Sequence, residues 1–319
     1  MAKSFGEEKI GDFQMLELLS KRITPTAMMD RFKKICEERA DLRVLLYILG
    51  PEKILEWMHS IGVCEDDALR SFVPPFPPAE LRKITAAPHL EEFLWTGLAD
   101  MERIITLYET VDGFTYPKRP VVLDFGCGCG RMVRFLANCA NSWIVHACEV
   151  NPRHVQWCQD NLENASTSQC NPLPPLPYQD QSFDLVYCIS VFTHLPESRA
   201  FAWLSEMARV LVHNGILIIT THGPTALAII RDSEAHQKMF NLDRQTIVAI
   251  LESLKESLFV FQKYAKDALE NALAGEEYGN AFIHPDYIYS QWGVEGLKVL
   301  QYLPGGLRGW QDIVIIQRN

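Results

Sequence analysis

One stretch constrains this chain more than any other: Val121-Val-Leu-Asp-Phe-Gly-Cys-Gly-Cys-Gly-Arg131, followed by Trp143-Ile-Val-His-Ala-Cys-Glu149. The first apolar run is too short for a helix and reads as a buried strand. The glycines make a tight turn, a helix follows over 131–139, and a second strand ends on a carboxylate. Gly126, Gly128 and Gly130 let the backbone turn sharply and approach a ligand closely. Glu149 stands where a carboxylate accepts hydrogen bonds from ribose hydroxyls, so the segment predicts a nucleotide-type cofactor site. The dinucleotide fingerprint G-x-G-x-x-G is not completed, because its last position is Arg131 in one register and Val133 in the other. A dehydrogenase is therefore disfavoured.

The segments that follow narrow the reading. Pro152-Arg-His-Val-Gln-Trp-Cys-Gln-Asp-Asn-Leu162 is amphipathic, Pro174-Pro-Leu-Pro-Tyr178 is a loop, and Ser182-Phe-Asp-Leu-Val-Tyr-Cys-Ile-Ser-Val-Phe-Thr-His-Leu195 carries a buried strand over 183–189. Phe201-Ala-Trp-Leu-Ser-Glu-Met-Ala-Arg-Val-Leu211 and Asn214-Gly-Ile-Leu-Ile-Ile-Thr-Thr-His-Gly223 read as the next helix and strand. In this order the segments resemble the class I S-adenosylmethionine-dependent methyltransferases, from about residue 81 onward. No Asn-Pro-Pro-Tyr-type motif follows the fourth strand, which argues against methylation of base amino groups.

Alternating strands and helices imply a mostly parallel sheet covered on both faces. The expected fold is a doubly wound α/β sheet of seven strands, with an antiparallel C-terminal strand supplied by residues 296–303 and 312–317 around a Pro304-Gly-Gly306 loop. The third strand is short, over 166–170, and a helical insertion occupies about 224–280. Helical patterning marks residues 11–70, and Phe72-Val-Pro-Pro-Phe-Pro-Pro78 is a stiff connector, so 1–78 is set apart from a methyltransferase domain over 79–319.

The resemblance implies S-adenosylmethionine as cofactor and methyl transfer by in-line displacement; the reading adopted for the acceptor is a small molecule, methylated at oxygen, with sugars, lipids and a protein side chain left open. The resemblance places Asp124, Phe125, Gly126, Cys127, Gly128, Gly130, Arg131, Glu149, Val150, Asn171, Ile189 and Ser190 around the cofactor. The physics agrees: the ligand's ammonium needs an acceptor such as Asp124, and its carboxylate needs loop amides at a helix start. Arg131 or Arg134 pairs with that carboxylate, or both make salt bridges within the protein, and Trp95 and Gly97 either close over the cofactor or pack. Asn171 stands where family members commonly hold the adenine amino group with an acidic or amide side chain.

His194 is the expected base, with His222 and His284 behind it and Tyr278 and Trp292 as pocket lining. The ordinary pKa of imidazole suits proton removal near neutrality, and a histidine bonded only to backbone is the alternative. A catalytically silent S-adenosylmethionine-binding regulatory or scaffold protein is the competing reading.

The chain has 319 residues, 48% hydrophobic, with 30 Lys and Arg against 40 Asp and Glu, a net charge of −10. That balance lacks the basic footprint of a phosphate-backbone binder, so no nucleic acid partner is expected. No stretch reaches the roughly 20 uninterrupted apolar residues of a membrane helix, and no leader is evident, so the expectation is a cytoplasmic protein without a membrane partner, a homo-oligomer being left open. None of the nine cysteines forms a C-x-x-C pair, so no metal is expected and the thiols read as reduced and mostly buried.

Overall fold

The computed structural model describes residues 75–85, 90–111, 117–139, 143–264, 277–293 and 296–319. The helical patterning over 11–70 and the first residues of the connector lie outside these. The described residues fall into two compact units, a smaller one made of those within 75–105, 127–145 and 153–167 and a larger one made of those within 106–126, 146–152 and 168–319. Among the described residues no helix is long and apolar enough to cross a membrane.

Strands and helices follow in the order α1 (Ala79–Ile84), α2 (Leu90–Glu109), β1 (Val121–Phe125), α3 (Val133–Cys139), β2 (Ile144–Glu149), α4 (Pro152–Asn161), β3 (Ala165–Gln169) and β4 (Phe183–Cys188). A 3-10 turn (Phe192–His194), α5 (Glu197–Val210) and β5 (Leu211–Thr221) come next. The sheet is seven-stranded, in the order β3-β2-β1-β4-β5-β9-β8, where β8 is Leu297–Leu307 and β9 is Gln311–Arg318. β4 runs parallel to β1 and β5, while β9 is antiparallel to both of its neighbours, β5 and β8. This is the expected architecture.

In the larger unit, Leu185, Val186 and Tyr187 of β4 and Ile216, Leu217, Ile218 and Ile219 of β5 are all buried, which is why these strands read as continuous apolar runs rather than alternating ones. α5 covers them with Ala200, Trp203, Leu204 and Met207, spaced i, i+3, i+4, i+7 on one face. Trp203 meets Phe125 at the end of β1, with ring centroids 4.5 Å apart. Two polar residues of α5 fasten the proline-rich loop: Glu206 Oε1 accepts from Leu176 N at 2.6 Å, and Arg209 donates to Tyr178 O at 2.9 Å and to Asp180 Oδ1 at 2.7 Å.

In the smaller unit, Leu81, Phe93 and Cys129 form a core with Phe76, Phe135 and Trp157. Arg134 is buried within it, 5.1, 5.8 and 5.9 Å from the rings of Phe76, Phe93 and Phe135, and donates to Pro75 O at 3.2 Å. Burial lowers its pKa to about 10. Arg134 thus fastens the connector rather than presenting its charge at the surface.

The insertion is mainly helical, as expected: α6 (Pro224–Asp232), α7 (Glu234–Phe240) and α8 (Arg244–Ser257) are followed by an antiparallel pair, β6 (Phe259–Lys263) and β7 (Gly279–Ile283). Phe259-Val-Phe is aromatic and β-branched, and Leu258 in a left-handed conformation ends the helix before it. α9 (Pro285–Gln291) follows. One sequence expectation is corrected: the turn between β8 and β9 falls at residues 308–310 instead of 304–306. Pro304-Gly-Gly306 stays within β8 as an irregularity because Asp312 reaches across, accepting from Gly305 N at 2.6 Å and from the Tyr302 hydroxyl at 2.5 Å.

Candidate active site

The C-terminal ends of β1, β2 and β4 meet in the larger unit. Asp124 and Phe125 close β1 beside Tyr187 of β4, and Gly126 N donates to Cys148 O of β2 at 2.9 Å. Gly126 has a φ of +80°, and a Cβ there would lie 2.5 Å from Val191 Cγ2, so only glycine admits both the turn and the approach of the segment after β4. Ile189 and Ser190 lead into that segment, and Ser190 N donates to Thr220 Oγ1 at 2.8 Å. The structure therefore brings together Asp124, Phe125, Gly126, Ile189 and Ser190 with the end of β2.

Glu149 is almost buried, and its Oε1 accepts from Val150 N and Asn151 N, both at 2.9 Å, so the carboxylate is held by its own loop. Cys170 N donates to Glu149 O at 3.0 Å, which sets Asn171 next along the chain with an exposed side chain. Cys148 and Cys188 are buried free thiols, and burial pushes both pKa values up, so they behave as small apolar groups.

The turn continues through Cys127, Gly128, Gly130 and Arg131 in the smaller unit. There Arg131 Nη1 pairs with the buried Asp100 Oδ2 at 2.7 Å, so this arginine has a protein partner. Gly97 of α2 packs against the Arg131 carbonyl, where a Cβ would collide, so its absence of side chain serves close packing. The Trp95 side chain lies outside the described residues.

His194 ends the 3-10 turn after Val191. Its Nδ1 is 2.9 Å from Gly279 O and 3.2 Å from the Tyr264 hydroxyl, and its ring stacks on Tyr278 at 5.1 Å and 21°. A carbonyl only accepts, so Nδ1 carries the proton and Nε2 carries the lone pair. Nε2 has no hydrogen-bond partner among the described residues. Burial lowers the His194 pKa, which keeps the imidazole neutral and able to take a proton. Tyr278 lies within the electrostatic reach of Glu149, and its phenol pKa is raised by burial and then by that carboxylate.

His222 stands 6.2 Å from His194, ring to ring, and is enclosed by Phe240, Phe282 and Trp310 at 5.3, 6.0 and 5.7 Å. Burial, then His194, pushes its pKa down to about 3. Gln311 Nε2 donates to Ser190 Oγ at 2.9 Å and lies 3.4 Å from His222 Nε2. His284 instead caps α9 through Asp286 N, and Trp292 is buried in the core against Phe192. Among the expected pocket residues only Tyr278 joins His194. Tyr264, Asn280 and Gln311 belong to the site as well and carry no local motif.

The larger unit thus offers a tightly turned β1 end, a loop-held carboxylate at β2 and a neutral imidazole after β4. Residues 122–215 match the family model described as a methyltransferase domain. These residues carry a methyltransferase domain of the class I S-adenosylmethionine-dependent type. Its relatives include the tRNA N(3)-cytidine methyltransferase METTL2 of Gallus gallus, 26% identical over 133 residues, covering 39% of this chain and 35% of that protein. The 2-methyl-6-phytyl-1,4-hydroquinone methyltransferase of Synechocystis is 30% identical over 107 residues, 33% of each chain, and the methyltransferase GfsG of Streptomyces halstedii is 32% identical over 118 residues, 35% and 40% of the two chains. The chain spans about a third of the length of the curated relatives it matches.

S-adenosylmethionine, the cofactor of this methyltransferase family, fits the residues present. Glu149, its Oε1 already engaged by two amides, suits a ribose diol, and a turn that excludes Cβ at Gly126 suits close backbone approach.

Proposed function

We propose that this methyltransferase modifies a small, uncharged acceptor at oxygen, with His194 as the base. The observation that carries the reading is the placement of His194, buried, anchored through Nδ1 to Gly279 O and with no Nε2 partner among the described residues, immediately after the Ile189–Val191 segment that abuts Gly126. When bound, S-adenosylmethionine supplies the methyl group on a sulfonium. Asp124, Phe125, Gly126, Glu149 and Val150 would bind and orient it, with Ile189, Ser190 and Asn171 in the same unit beside them. Alignment does much of the work in such a displacement. His194 Nε2 takes the proton of the acceptor hydroxyl as that oxygen becomes bonded to carbon, and the resulting imidazolium is stabilised through Nδ1–H by the Gly279 carbonyl.

The groups recorded around His194 are Tyr264, Tyr278, His222 and Gly279, none of which is charged when the imidazoles are neutral. This surrounding and the net charge of −10 support a neutral small molecule over a polyanion. Names among the relatives favour tRNA as a second acceptor class. Calorimetry with S-adenosylhomocysteine tests the site: the wild-type chain binds and Glu149→Ala weakens binding at least tenfold. Transfer of labelled methyl to a panel of phenols and other hydroxyl compounds, with unmodified tRNA alongside, tests the acceptor. Labelling of tRNA alone, or transfer undiminished in His194→Phe, refutes the reading, and binding without transfer to any acceptor favours the silent alternative.

A further inference from the structure

We infer that the β6–β7 pair is the device that sets the proton of His194, with Tyr264 and Asn280 as positioning residues. The inference rests on the reading of His194 as a base and adds what makes its Nε2 basic. Tyr264 N donates to Tyr278 O at 3.0 Å, extending the ladder that pairs Gln262 with Asn280 and Lys263 with Gly279. Gly279 permits the pairing to be this close, since a Cβ there would collide with Gln262 O. This pair of strands, with the residues that flank it, therefore delivers the Gly279 carbonyl, the Tyr264 hydroxyl and the Tyr278 ring to a single imidazole, and the buried Asn280 amide to the Tyr264 hydroxyl.

The direction of each hydrogen bond follows from what each group can do. The Tyr264 hydroxyl has one proton and gives it to Asn280 Oδ1 at 2.8 Å, so toward His194 Nδ1, 3.2 Å away, it acts as an acceptor. Gly279 O at 2.9 Å accepts as well. Two acceptors at one nitrogen require Nδ1–H. The opposite arrangement, with the Asn280 amide nitrogen toward Tyr264 and the phenol donating to His194, sets an Nδ1 lone pair against a carbonyl oxygen. Asn280 thus acts at one remove: by occupying the phenol proton, it prevents Tyr264 from donating to Nδ1 and moving the imidazole proton to Nε2, where the base is needed. Burial raises the Tyr264 pKa to about 12, so the phenol keeps that proton through the working range. The other titratable groups facing His194 are Tyr278 and His222.

The test is long-range proton–nitrogen correlation NMR on the full chain with 15N-labelled histidine, from pH 5 to 8. Wild-type protein is expected to show a protonated Nδ1 and a bare Nε2 at His194. In Asn280→Leu the freed phenol competes, and the share of the Nε2–H form rises roughly two- to twelvefold, the equilibrium equivalent of one typical hydrogen bond. Asn280→Asp keeps an acceptor for the phenol and restores the wild-type pattern. In Asn280→Leu combined with Tyr264→Phe the competitor is gone, and the Nδ1–H form returns. The buried His222 resonances report whether each variant is folded. A wild-type spectrum with Nε2–H overturns the inference without any variant, as does a folded Asn280→Leu protein with the wild-type tautomer. Should Asn280→Leu fail to fold, Tyr264→Phe alone decides: loss of one acceptor shifts the His194 acid constant roughly twofold or more, and an unchanged constant overturns the role of Tyr264. The base reading fails separately, if His194→Phe keeps methyl transfer while these spectra come out as expected.

Discussion

Replacing Gly126 by alanine tests whether the turn after β1 is glycine for conformational reasons, steric reasons or both. The residue has a φ of +80°, and holding an L-residue in the left-handed region costs roughly 1–2 kcal/mol. The new Cβ falls 2.5 Å from Val191 Cγ2, about 1 Å inside ordinary contact. Relief by moving the segment after β4 costs roughly 1–3 kcal/mol, as for other overpacked sites. The total is roughly 2–5 kcal/mol. At roughly 2–4 °C per kcal/mol for a domain of this size, the melting midpoint falls by roughly 4–20 °C. Only the steric share depends on Val191. In a double-mutant cycle, Val191→Ala therefore returns roughly 1–3 kcal/mol to Gly126→Ala and leaves the conformational share in place. Denaturant melts of the four proteins, with S-adenosylhomocysteine binding measured in parallel, give the coupling. Additive losses would show that Val191 does not define the turn and would refute the steric argument.

Three further outcomes are expected. Trp203→Ala removes the ring that meets Phe125 and costs roughly 3–5 kcal/mol, read as a fall in denaturation midpoint, with weaker S-adenosylhomocysteine binding because Phe125 precedes the turn. Glu206→Ala leaves Leu176 N without its acceptor in a buried place and costs roughly 1–3 kcal/mol, whereas Glu206→Gln, which keeps an oxygen there, costs less in the same melt. His222 has its pKa pushed from 6.5 to about 3 in the fold, so the unfolded chain binds the extra proton first as the pH falls. Its contribution destabilises progressively below pH 6.5 at about 1.4 kcal/mol per pH unit, or about 2 kcal/mol at pH 5. Stability curves of wild type and His222→Leu should diverge over that window, and parallel curves contradict the burial of the imidazole.

The strands that positioned the site were legible where they are buried on both faces. β1 and β4 are apolar but for Asp124 and Asp184, Ile216 to Ile219 of β5 are apolar throughout, and the glycines after β1 left few alternatives. β3 was hard to see because Ala-Ser-Thr-Ser-Gln is polar, as suits the edge of the sheet, where only part of the strand meets a core. β5 begins earlier than Asn214-Gly215 suggests, because the register with β4 shifts between Phe183 and Leu185 and absorbs those residues without ending the strand. At the site, His194 was legible from its place after β4. Tyr264 and Asn280 were not, since they arrive from 70 and 86 positions away through a strand pairing that local periodicity does not encode. Arg134 misled for a related reason: its spacing from Arg131 suggests a shared helix face, but α3 begins only at Val133, and Arg134 is roofed by Phe76 and Phe93.

The placement of β9 bears on how such a chain is made. β9 follows both β5 and β8 in the chain and lies between them in the sheet, with Gln311 to Ile316 buried. During vectorial synthesis β1 to β5 can pair as they emerge, but β5 then presents an open, apolar edge, and β8 has no strand to join until β9 arrives. Until β9 emerges, the β5 edge therefore stays open to pairing with strands of other chains.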